Sequence, residues 1–364
     1  MIYNQPTTTM KIHNFSAGPA ILDSSVLEEA ARAVENYDNQ GLSILEMSHR
    51  SKPLVAVLEE ACQLVKDLLG LGDDYEVLYL TGGASSQFFM APMNLLNEGD
   101  TAAYVDTGAW STKAIKEAGH FGNVAVLASS KDKNFNYIPK DWELPADAKY
   151  LHLTSNNTIY GTRYAEFPKV DAPIVCDMSS DIFSREFDHT QFGLIYAGAQ
   201  KNLGPAGTTL VIVRKDLLGK VERSIPTMLD YNTHIKKGSS FNTPPIYPIY
   251  VCMLTLRWLQ ANGGVKAMEK RNKEKAALLY AEIDRNPYFE GTAAVEDRSI
   301  MNVTFVAKDQ AYEEAFLAYC TANGVSGIKG HRSVGGFRAS IYNAMPLSSV
   351  EHLVDLMKNF KPEQ

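Results

Sequence analysis

One lysine stands in an unusual setting for a charged side chain. Lys201 follows an apolar, strand-like segment at 195–197 and precedes a Gly/Pro-rich stretch at 204–207. Long lysine side chains normally keep their ammonium group in water, so a lysine at the end of a core strand needs a reason. Condensation with an aldehyde into a Schiff base removes the charge and supplies that reason. A surface lysine in a strand-to-loop turn is the alternative interpretation.

An aspartate is the second candidate. Residues 174–176 read as a buried strand that Asp177 closes, and the distance along the chain to Lys201 allows one crossover between neighbouring parallel strands. Ligands bind at the carboxyl ends of such strands. Pyridoxal phosphate enzymes need this pair, a lysine for the aldehyde and a carboxylate that keeps the ring nitrogen protonated. Asp177 could also be the N-cap of a helix at 178–180, and the two roles are compatible.

Composition restricts the class of protein. The 364 residues are 45% hydrophobic and 21% charged, as in a globular protein of two or three structural units. The net charge of −7, without a basic stripe, argues against nucleic acid as a partner. No apolar run predicts a membrane span, and residues 1–9 lack the regions of a signal peptide, so we expect a disordered leader on a cytoplasmic protein. The four scattered cysteines indicate reduced packing thiols, with no disulfide and no metal site.

Short apolar runs alternate with helical patterns through the first two thirds of the chain. A 3.6-residue periodicity predicts helices at 51–69 and 112–118. This alternation indicates an α/β fold, a mainly parallel seven-stranded sheet with helices on both faces. The predicted strands are 77–80, 102–105, 124–127, 150–153, 174–176, 194–197 and 209–213.

The last third of the chain predicts a smaller α+β unit. We expect a large domain over 10–262 and a small domain over 263–364, with the N-terminal segment as a candidate to pack on the small one. The small domain begins with a charged amphipathic helix at 265–285. The remaining predicted elements are a strand near 300–306, a helix near 311–322, a strand near 337–342 and a helix at 348–359.

Three further features could bind a flat, phosphorylated ligand. Residues 82–87, Gly-Gly-Ala-Ser-Ser-Gln, follow a predicted strand and open a helical pattern, so their N–H and hydroxyl groups could cup a phosphate. The glycine spacing fits neither a dinucleotide fingerprint nor a Walker A loop, and Gly-Gly before a helix is often only a tight turn. Trp110 could stack on a ring or fill the core. Thr158 could contact a ring hydroxyl or cap a turn.

Arginine and histidine pairs are candidates for anion binding. His49-Arg50 and His331-Arg332 are two such dipeptides, and Arg338 follows the second. Guanidinium forks match carboxylate and phosphate geometry. Either dipeptide alone could be solvated loop charge, whereas Arg338 alternates with apolar residues in a predicted strand. Together they could hold one α-carboxylate and one further anionic group of higher charge.

The motifs taken together resemble the phosphoserine aminotransferases, a family in the class V branch of the fold-type I pyridoxal phosphate enzymes. The similarity extends from about residue 11 to residue 360 and rests on four signatures in order. They are Asn-Phe-Ser-Ala-Gly-Pro at 14–19, Met-Ser-His-Arg at 47–50, Tyr-Ala-Gly-Ala-Gln-Lys-Asn at 196–202 and Gly-His-Arg-Ser-Val-Gly-Gly-Phe-Arg at 330–338.

The resemblance implies a reaction and an assembly. The reaction is a reversible ping-pong transamination that belongs to serine biosynthesis. In it, O-phospho-L-serine and 2-oxoglutarate are converted into 3-phosphohydroxypyruvate and L-glutamate. The assembly is a homodimer with shared active sites. A further role on 4-phosphohydroxythreonine in vitamin B6 synthesis stays open.

The resemblance also implies roles for single residues. Lys201 would bind the aldehyde and shuttle a proton, and Asp177 would pair with the ring nitrogen. Trp110 would stack on the cofactor ring, and Thr158 would contact its 3-hydroxyl. The cofactor phosphate would be bound by Ala84, Ser85 and Gln200 of the same chain and by Asn242 and Thr243 of the partner subunit. The substrate α-carboxylate would lie at Ser16 and Arg338, and its distal anion at His49, Arg50, His331 and Arg332, one pair of which crosses the dimer.

One departure and three alternatives accompany this interpretation. Some relatives carry an arginine where this chain has Ser85. In this chain, more of the binding of the cofactor phosphate would therefore come from backbone amides, from hydroxyl groups and from the partner subunit. A cysteine desulfurase of the same fold needs an exposed nucleophilic cysteine, and Cys320 lies in a helical pattern. An alanine- or serine-glyoxylate aminotransferase has no use for two His-Arg pairs. A non-catalytic binding protein would not need both Lys201 and Asp177.

Overall fold

The computed structural model describes residues 11–362, so the predicted leader at 1–9 lies outside the described residues. Its helices are α1 (Ser24–Glu35), α2 (Lys52–Leu69), α3 (Gly83–Leu95), α4 (Ala109–Ala118), α5 (Tyr231–Lys236), α6 (Ile246–Ala261), α7 (Gly264–Arg285), α8 (Tyr312–Ala322) and α9 (Leu347–Asn359). Its strands are β1 (His13–Asn14), β2 (Tyr75–Leu80), β3 (Thr101–Asp106), β4 (Asn123–Ser129), β5 (Ala148–Thr154), β6 (Asn156–Asn157), β7 (Thr162–Arg163), β8 (Ile174–Asp177), β9 (Phe192–Gly198), β10 (Thr209–Arg214), β11 (Phe289–Gly291), β12 (Asn302–Ala307), β13 (Val325–Ser326) and β14 (Phe337–Ser340).

A seven-stranded sheet in the order β2-β10-β9-β8-β5-β3-β4 forms the centre of the fold. Strands β9, β8, β5, β3 and β4 run parallel, and β10 is antiparallel to both β9 and β2. The loop from β9 to β10 is too short for a crossover, so the chain returns beside β9 in the opposite direction. The predicted mainly parallel sheet is therefore confirmed, with all seven strands at the predicted places.

Most strands of this sheet are buried and largely apolar because helices cover both faces. Val77 and Tyr79 of β2 point into a core shared with α1, α2 and α6, whereas Leu78 and Leu80 point into a core shared with α3 and α4. Side chains alternate between the faces of a strand, so a run without polar interruptions indicates burial on both sides.

The helices begin and end close to their predicted limits, with one clear exception. α4 starts at Ala109 and not at residue 112. The hydroxyl of Ser111 accepts hydrogen bonds of 2.9 Å from the N–H groups of both Thr107 and Gly108, which supports the first turn. Such side-chain capping is invisible to a periodicity argument.

A second apolar core lies on the C-terminal part of the chain. A three-stranded antiparallel sheet, β11-β12-β14, packs with α7, α8 and α9 around Phe289, Phe305 and Phe337. Phe15 belongs to this core, because β1 pairs with β13. The domain division at 262/263 stays a prediction. Within residues 11–362, no helix is both long and apolar enough to cross a membrane.

Candidate active site

Lys201 lies in the turn that follows β9, at the carboxyl end of the parallel strands. Its Nζ donates a hydrogen bond of 2.8 Å to Oγ1 of Thr158. The same Nζ lies 5.5 Å from the centroid of the Trp110 ring. The structure thus brings together three residues that the sequence placed after three different strands.

Burial lowers the pKa of the Lys201 amine. The carboxylates of Asp177 and Asp181 oppose this shift, and the Arg338 guanidinium adds to it. A lowered pKa increases the fraction of free amine near neutral pH, and the free amine is the form that attacks an aldehyde or accepts a proton.

Asp177 ends β8, directly beside β9, and pairs in register with Tyr196. Its side chain is buried, and Oδ1 accepts a hydrogen bond of 2.9 Å from the N–H of Ser179. No helix follows, so the expected N-cap role is wrong: the carboxylate caps a turn. Phe183 takes a left-handed backbone conformation with φ of 59°, which helical residues do not adopt.

A second buried carboxylate, Asp181, lies behind Asp177 and was missed by sequence reasoning. It accepts a hydrogen bond from the Ser155 hydroxyl and lies 3.6 Å from the guanidinium of Arg185. Burial raises the pKa of Asp181, while Arg185 counteracts that effect. The spacing of Asp181 and Arg185 was the available signal, but an i,i+4 pair suggests a helix surface and not a buried turn.

The Gly-Gly motif forms the N-terminus of α3. Gly82 and Gly83 have φ of 98° and 69°, in the left-handed region that favours glycine. A Cβ at Gly82 would collide with the side chain of Ser86. Ala84 and Ser85 lie in the first turn, and Ser85 is exposed. The N–H groups of this turn are available to an anion.

Gln200 completes this end of the sheet. At Gly198 a Cβ would lie 2.8 Å from Oε1 of Gln200, so a larger residue there would require the Gln200 side chain to move. The carbonyl of Gln200 accepts a hydrogen bond of 2.9 Å from the N–H of Ala20. The N-terminal segment therefore passes directly over the residue that precedes Lys201.

Arg338 reaches the site from β14. Its Nη1 donates a hydrogen bond of 3.3 Å to the carbonyl of Thr158, and its buried Nε has no partner in residues 11–362. Thr158 thus contacts Lys201 through its hydroxyl and Arg338 through its carbonyl. Burial lowers the pKa of Arg338.

His331 and Arg332 lie on the loop that precedes β14. This loop is closed by a hydrogen bond of 2.8 Å from the N–H of Gly330 to the carbonyl of Gly336. Arg332 is exposed and His331 is half-buried. Burial lowers the pKa of His331, and the positive charges of Arg338, Arg332 and Lys113 lower it further.

Ser16 lies on the segment that links the second core to Lys201. Its N–H donates a hydrogen bond of 3.0 Å to Oδ1 of Asn14, and a side chain at Gly327 would collide with it. Next to it, the carbonyl of Ala17 accepts a hydrogen bond of 2.7 Å from the hydroxyl of Tyr342. Ser16 is held in place, but none of its hydrogen bonds reaches Lys201 or Arg338 in the described chain.

The other predicted residues do not join this cluster within one chain. His49 and Arg50 line a different cavity of about 570 Å³, together with α2 residues such as Glu59 and Lys66. Ser240 lines the same cavity. Asn242 and Thr243 follow it on a surface loop, where Asn242 Nδ2 donates a hydrogen bond of 3.3 Å to the carbonyl of Thr243.

Comparison with known proteins decides the family. Residues 12–353 match the family model described as "Aminotransferase class-V". The chain belongs to the class-V aminotransferases. It is 60% identical to the phosphoserine aminotransferase of Flavobacterium johnsoniae over 350 residues, 96% of this chain and 98% of that protein.

Two solved structures have the same fold as this aminotransferase. The phosphoserine aminotransferase of Bacillus circulans subsp. alkalophilus is 48% identical, with a TM-score of 0.93, over 96% of this chain and 98% of that one. The phosphoserine aminotransferase of Trichomonas vaginalis, solved with bound pyridoxal phosphate, is 38% identical, with a TM-score of 0.91, over 96% of this chain and 100% of that one. The predicted fold-type I architecture is confirmed.

The surroundings of Lys201 in this aminotransferase fit pyridoxal phosphate. The indole N–H of Trp110 and the Nε of Arg338 are buried without a partner in the described chain, as expected of donors that face a ligand. The aldehyde and the 3-hydroxyl are adjacent substituents of the pyridine ring. The 2.8 Å between Lys201 and Thr158 matches that adjacency.

The cysteines do not supply the nucleophile of a desulfurase. Cys176, Cys252 and Cys320 are buried, the last of them in α8. Cys62 is half-buried on α2, and burial raises its pKa to about 12, which suppresses the reactive thiolate. The desulfurase alternative therefore lacks its reactive group.

Proposed function

We propose that this aminotransferase interconverts O-phospho-L-serine and 2-oxoglutarate with 3-phosphohydroxypyruvate and L-glutamate, in serine biosynthesis. The observation that carries the proposal is the convergence of Lys201, Asp177 and the cations of β14 and its preceding loop at one end of the sheet. The name shared by curated relatives that are more than half identical to the chain supports it. The cofactor is pyridoxal phosphate.

The substrate test follows directly. Glutamate-dependent amination of 3-phosphohydroxypyruvate is expected to exceed that of unphosphorylated hydroxypyruvate by a large factor, because only the former offers a dianion to the arginines. Equal turnover of the two keto acids would remove the proposal in favour of a glyoxylate-type aminotransferase.

The residues of the chain divide the chemistry between them. When bound, pyridoxal phosphate supplies an electron sink for the carbanion at the substrate α-carbon. Asp177 would hold the protonated ring nitrogen, and the first turn of α3 together with Gln200 would hold the phosphate. Lys201, with its lowered pKa, accepts the α-proton of the substrate and returns it.

The positively charged side chains of Arg338, His331 and Arg332 would orient the substrate. The unpartnered Nε of Arg338 is free to bind the α-carboxylate, which positions the α-proton toward Lys201. His331 and Arg332 lie further out and would bind the distal phosphate or the distal carboxylate of glutamate. The exposure of Arg332 allows it to move between anions of different length.

Replacement of Arg332 by alanine is expected to raise the KM for phosphoserine roughly tenfold to a hundredfold, the contribution of a charged hydrogen bond to phosphate. Cofactor binding is expected to stay unchanged. The measurement is steady-state kinetics together with a cofactor titration, with Arg271→Ala on the exposed side of α7 as the matched control. An equal loss of activity on serine and phosphoserine would contradict the assignment.

The proposal includes a homodimer in the cytoplasm. His49-Arg50 and Asn242-Thr243 lie near one surface cavity that none of the residues around Lys201 lines. Exposed apolar side chains lie on the same segments: Leu42 is 51% exposed, Leu45 61% and Phe241 39%. Such side chains favour contact with a second subunit. The four free cysteines suit a reducing compartment.

A mixing experiment tests whether His49-Arg50 serves the partner's site. Lys201→Ala and Arg50→Ala variants, each nearly inactive, are co-refolded in equal amounts. If Arg50 acts across the dimer, half the dimers contain one intact site and roughly a quarter of the parental activity returns. Recovery of no activity, or a fully active monomer in sedimentation, would contradict the shared site.

A further inference from the structure

The Trp110 ring has a second lysine beside it, one that no motif singled out. Lys113 lies on α4, one turn after Trp110, and its Nζ is 4.5 Å from the centroid of the ring. Within residues 11–362 no carboxylate forms a salt bridge with this amine, although two other exposed lysines, Lys149 and Lys215, each have one. Lys113 is exposed, so an ordinary solvated lysine is the alternative interpretation.

The helix that carries Lys113 and the loop that carries His331 and Arg332 pack against the same apolar cluster. A small apolar cluster of Phe135, Ile159 and Tyr160 packs against both Trp110 and Val334. Val334 closely follows the His-Arg dipeptide on its loop, so the cluster fixes the loop beside the tryptophan that Lys113 covers. The charge of Lys113 is one of the three that lower the pKa of His331, after burial itself.

Positive charge is therefore concentrated at the mouth of the site. The charges of Lys113, Arg332 and Arg338 all act on His331, and within residues 11–362 none of these four side chains forms a salt bridge with a carboxylate. Positively charged side chains this close together repel one another unless an anion is bound between them, and together they attract anions from solution. The cation–π contact with an accessible ring is weak enough to yield to a doubly charged ligand.

We propose that Lys113 is a specificity-determining residue whose ammonium group contacts the distal phosphate of the bound substrate, beside His331 and Arg332. This inference rests on the proposed function. A phosphate monoester carries nearly two negative charges at neutral pH, and the distal carboxylate of glutamate carries one. Lys113 thus favours the phosphorylated amino acid over glutamate in a pocket that serves both.

The test compares Lys113→Met with Lys113→Arg and with Lys116→Met, a control on the exposed side of the same helix. Lys113→Met is expected to raise the KM for phosphoserine about threefold to tenfold, the range of an exposed charge facing a dianion, with a smaller change for glutamate. The kcat, the visible spectrum and the cofactor affinity are expected to stay at the parental values. Lys113→Arg restores the KM, Lys116→Met leaves it unchanged, and high salt reduces the difference.

Two outcomes overturn the inference. An unchanged KM for phosphoserine at low salt shows that Lys113 is only solvated. A lower cofactor affinity with equal effects on both substrates shows that it merely steadies Trp110. A parent enzyme that is inactive on phosphoserine but active on another amino donor overturns the proposed function, which is a separate result from either of these.

Discussion

Replacement of Lys201 by alanine is expected to give a protein that folds, binds the cofactor without a covalent bond and has lost at least about four orders of magnitude in kcat. The amine is the only one held by Thr158 at the carboxyl end of β9, so no other group in the described site can accept the α-proton there. Without it the absorbance of the lysine-bound cofactor is also lost, and borohydride no longer fixes the cofactor covalently to the chain as it does in the parent.

Lys201→Arg is the matched variant for this result. It keeps the positive charge near Asp177 but cannot condense with an aldehyde, so its spectrum is expected to resemble that of Lys201→Ala. The measurements are absorbance before and after borohydride, and single-turnover kinetics with phosphoserine. A spectrum of Lys201→Ala identical to the parent's would refute both the cofactor attachment and the role of this lysine.

Replacement of Asp177 by asparagine is expected to lower kcat by roughly a thousandfold, while Asp177→Glu retains part of the activity. Asparagine keeps an oxygen that can accept the hydrogen bond from Ser179, but it removes the negative charge that would keep a ring nitrogen protonated in a buried place. The loss is expected in kcat more than in substrate KM, since the carboxylate belongs to β8, whereas the cations proposed to bind the substrate belong to β14 and its preceding loop.

Asp188→Asn is the control for a purely structural role of Asp177. Asp188 also accepts a hydrogen bond from the N–H two residues ahead, at 3.0 Å from Thr190, but it lies on the surface. A second readout is independent of turnover. In the cofactor-free protein, the Asp177 carboxylate raises the pKa of Lys201, so its removal lowers that pKa further. The pH dependence of Lys201 modification by an amine reagent measures this shift, and an unchanged profile would contradict the contact.

Much of the fold followed from local pattern. Most of the seven strands are buried and largely apolar, with helices on both faces of their sheet, so their positions could be predicted to within a few residues. The ends were less predictable. α4 begins early because Ser111 caps it, and the turn after Asp177 does not continue as a helix, since Phe183 takes a positive φ.

The contacts that build the second apolar core could not be predicted from local sequence pattern. Phe15 is separated from α7 and α9 by most of the chain, and no local pattern in its neighbourhood indicates that it packs with them. The sequence did not predict that the N-terminal segment passes over Lys201. The hydrogen bond between Ala20 and Gln200 in the structure shows it. Contacts of this kind depend on how distant elements meet, and periodicity carries no information on that.

The candidate site shows the same division. Lys201 and Asp177 could be singled out because each ends an apolar strand with a residue that water normally solvates, and the parallel-sheet rule places such ends together. Asp181, Lys113 and the cluster around Tyr160 carried no such signal. Their side chains are ordinary in type and spacing, and their importance comes from what they contact.

By itself, the order of residues determined which chemical groups are available and which strand ends present them, because an apolar run and the polar residue that follows it are both visible in the local sequence. The tertiary structure alone decided that Thr158 joins Lys201 to Arg338, and that His49-Arg50 lies in another cavity of the same chain. The physical reason is that hydrogen bonds and charge contacts act over a few Å in space, and the folded path of the backbone sets which distant residues come that close.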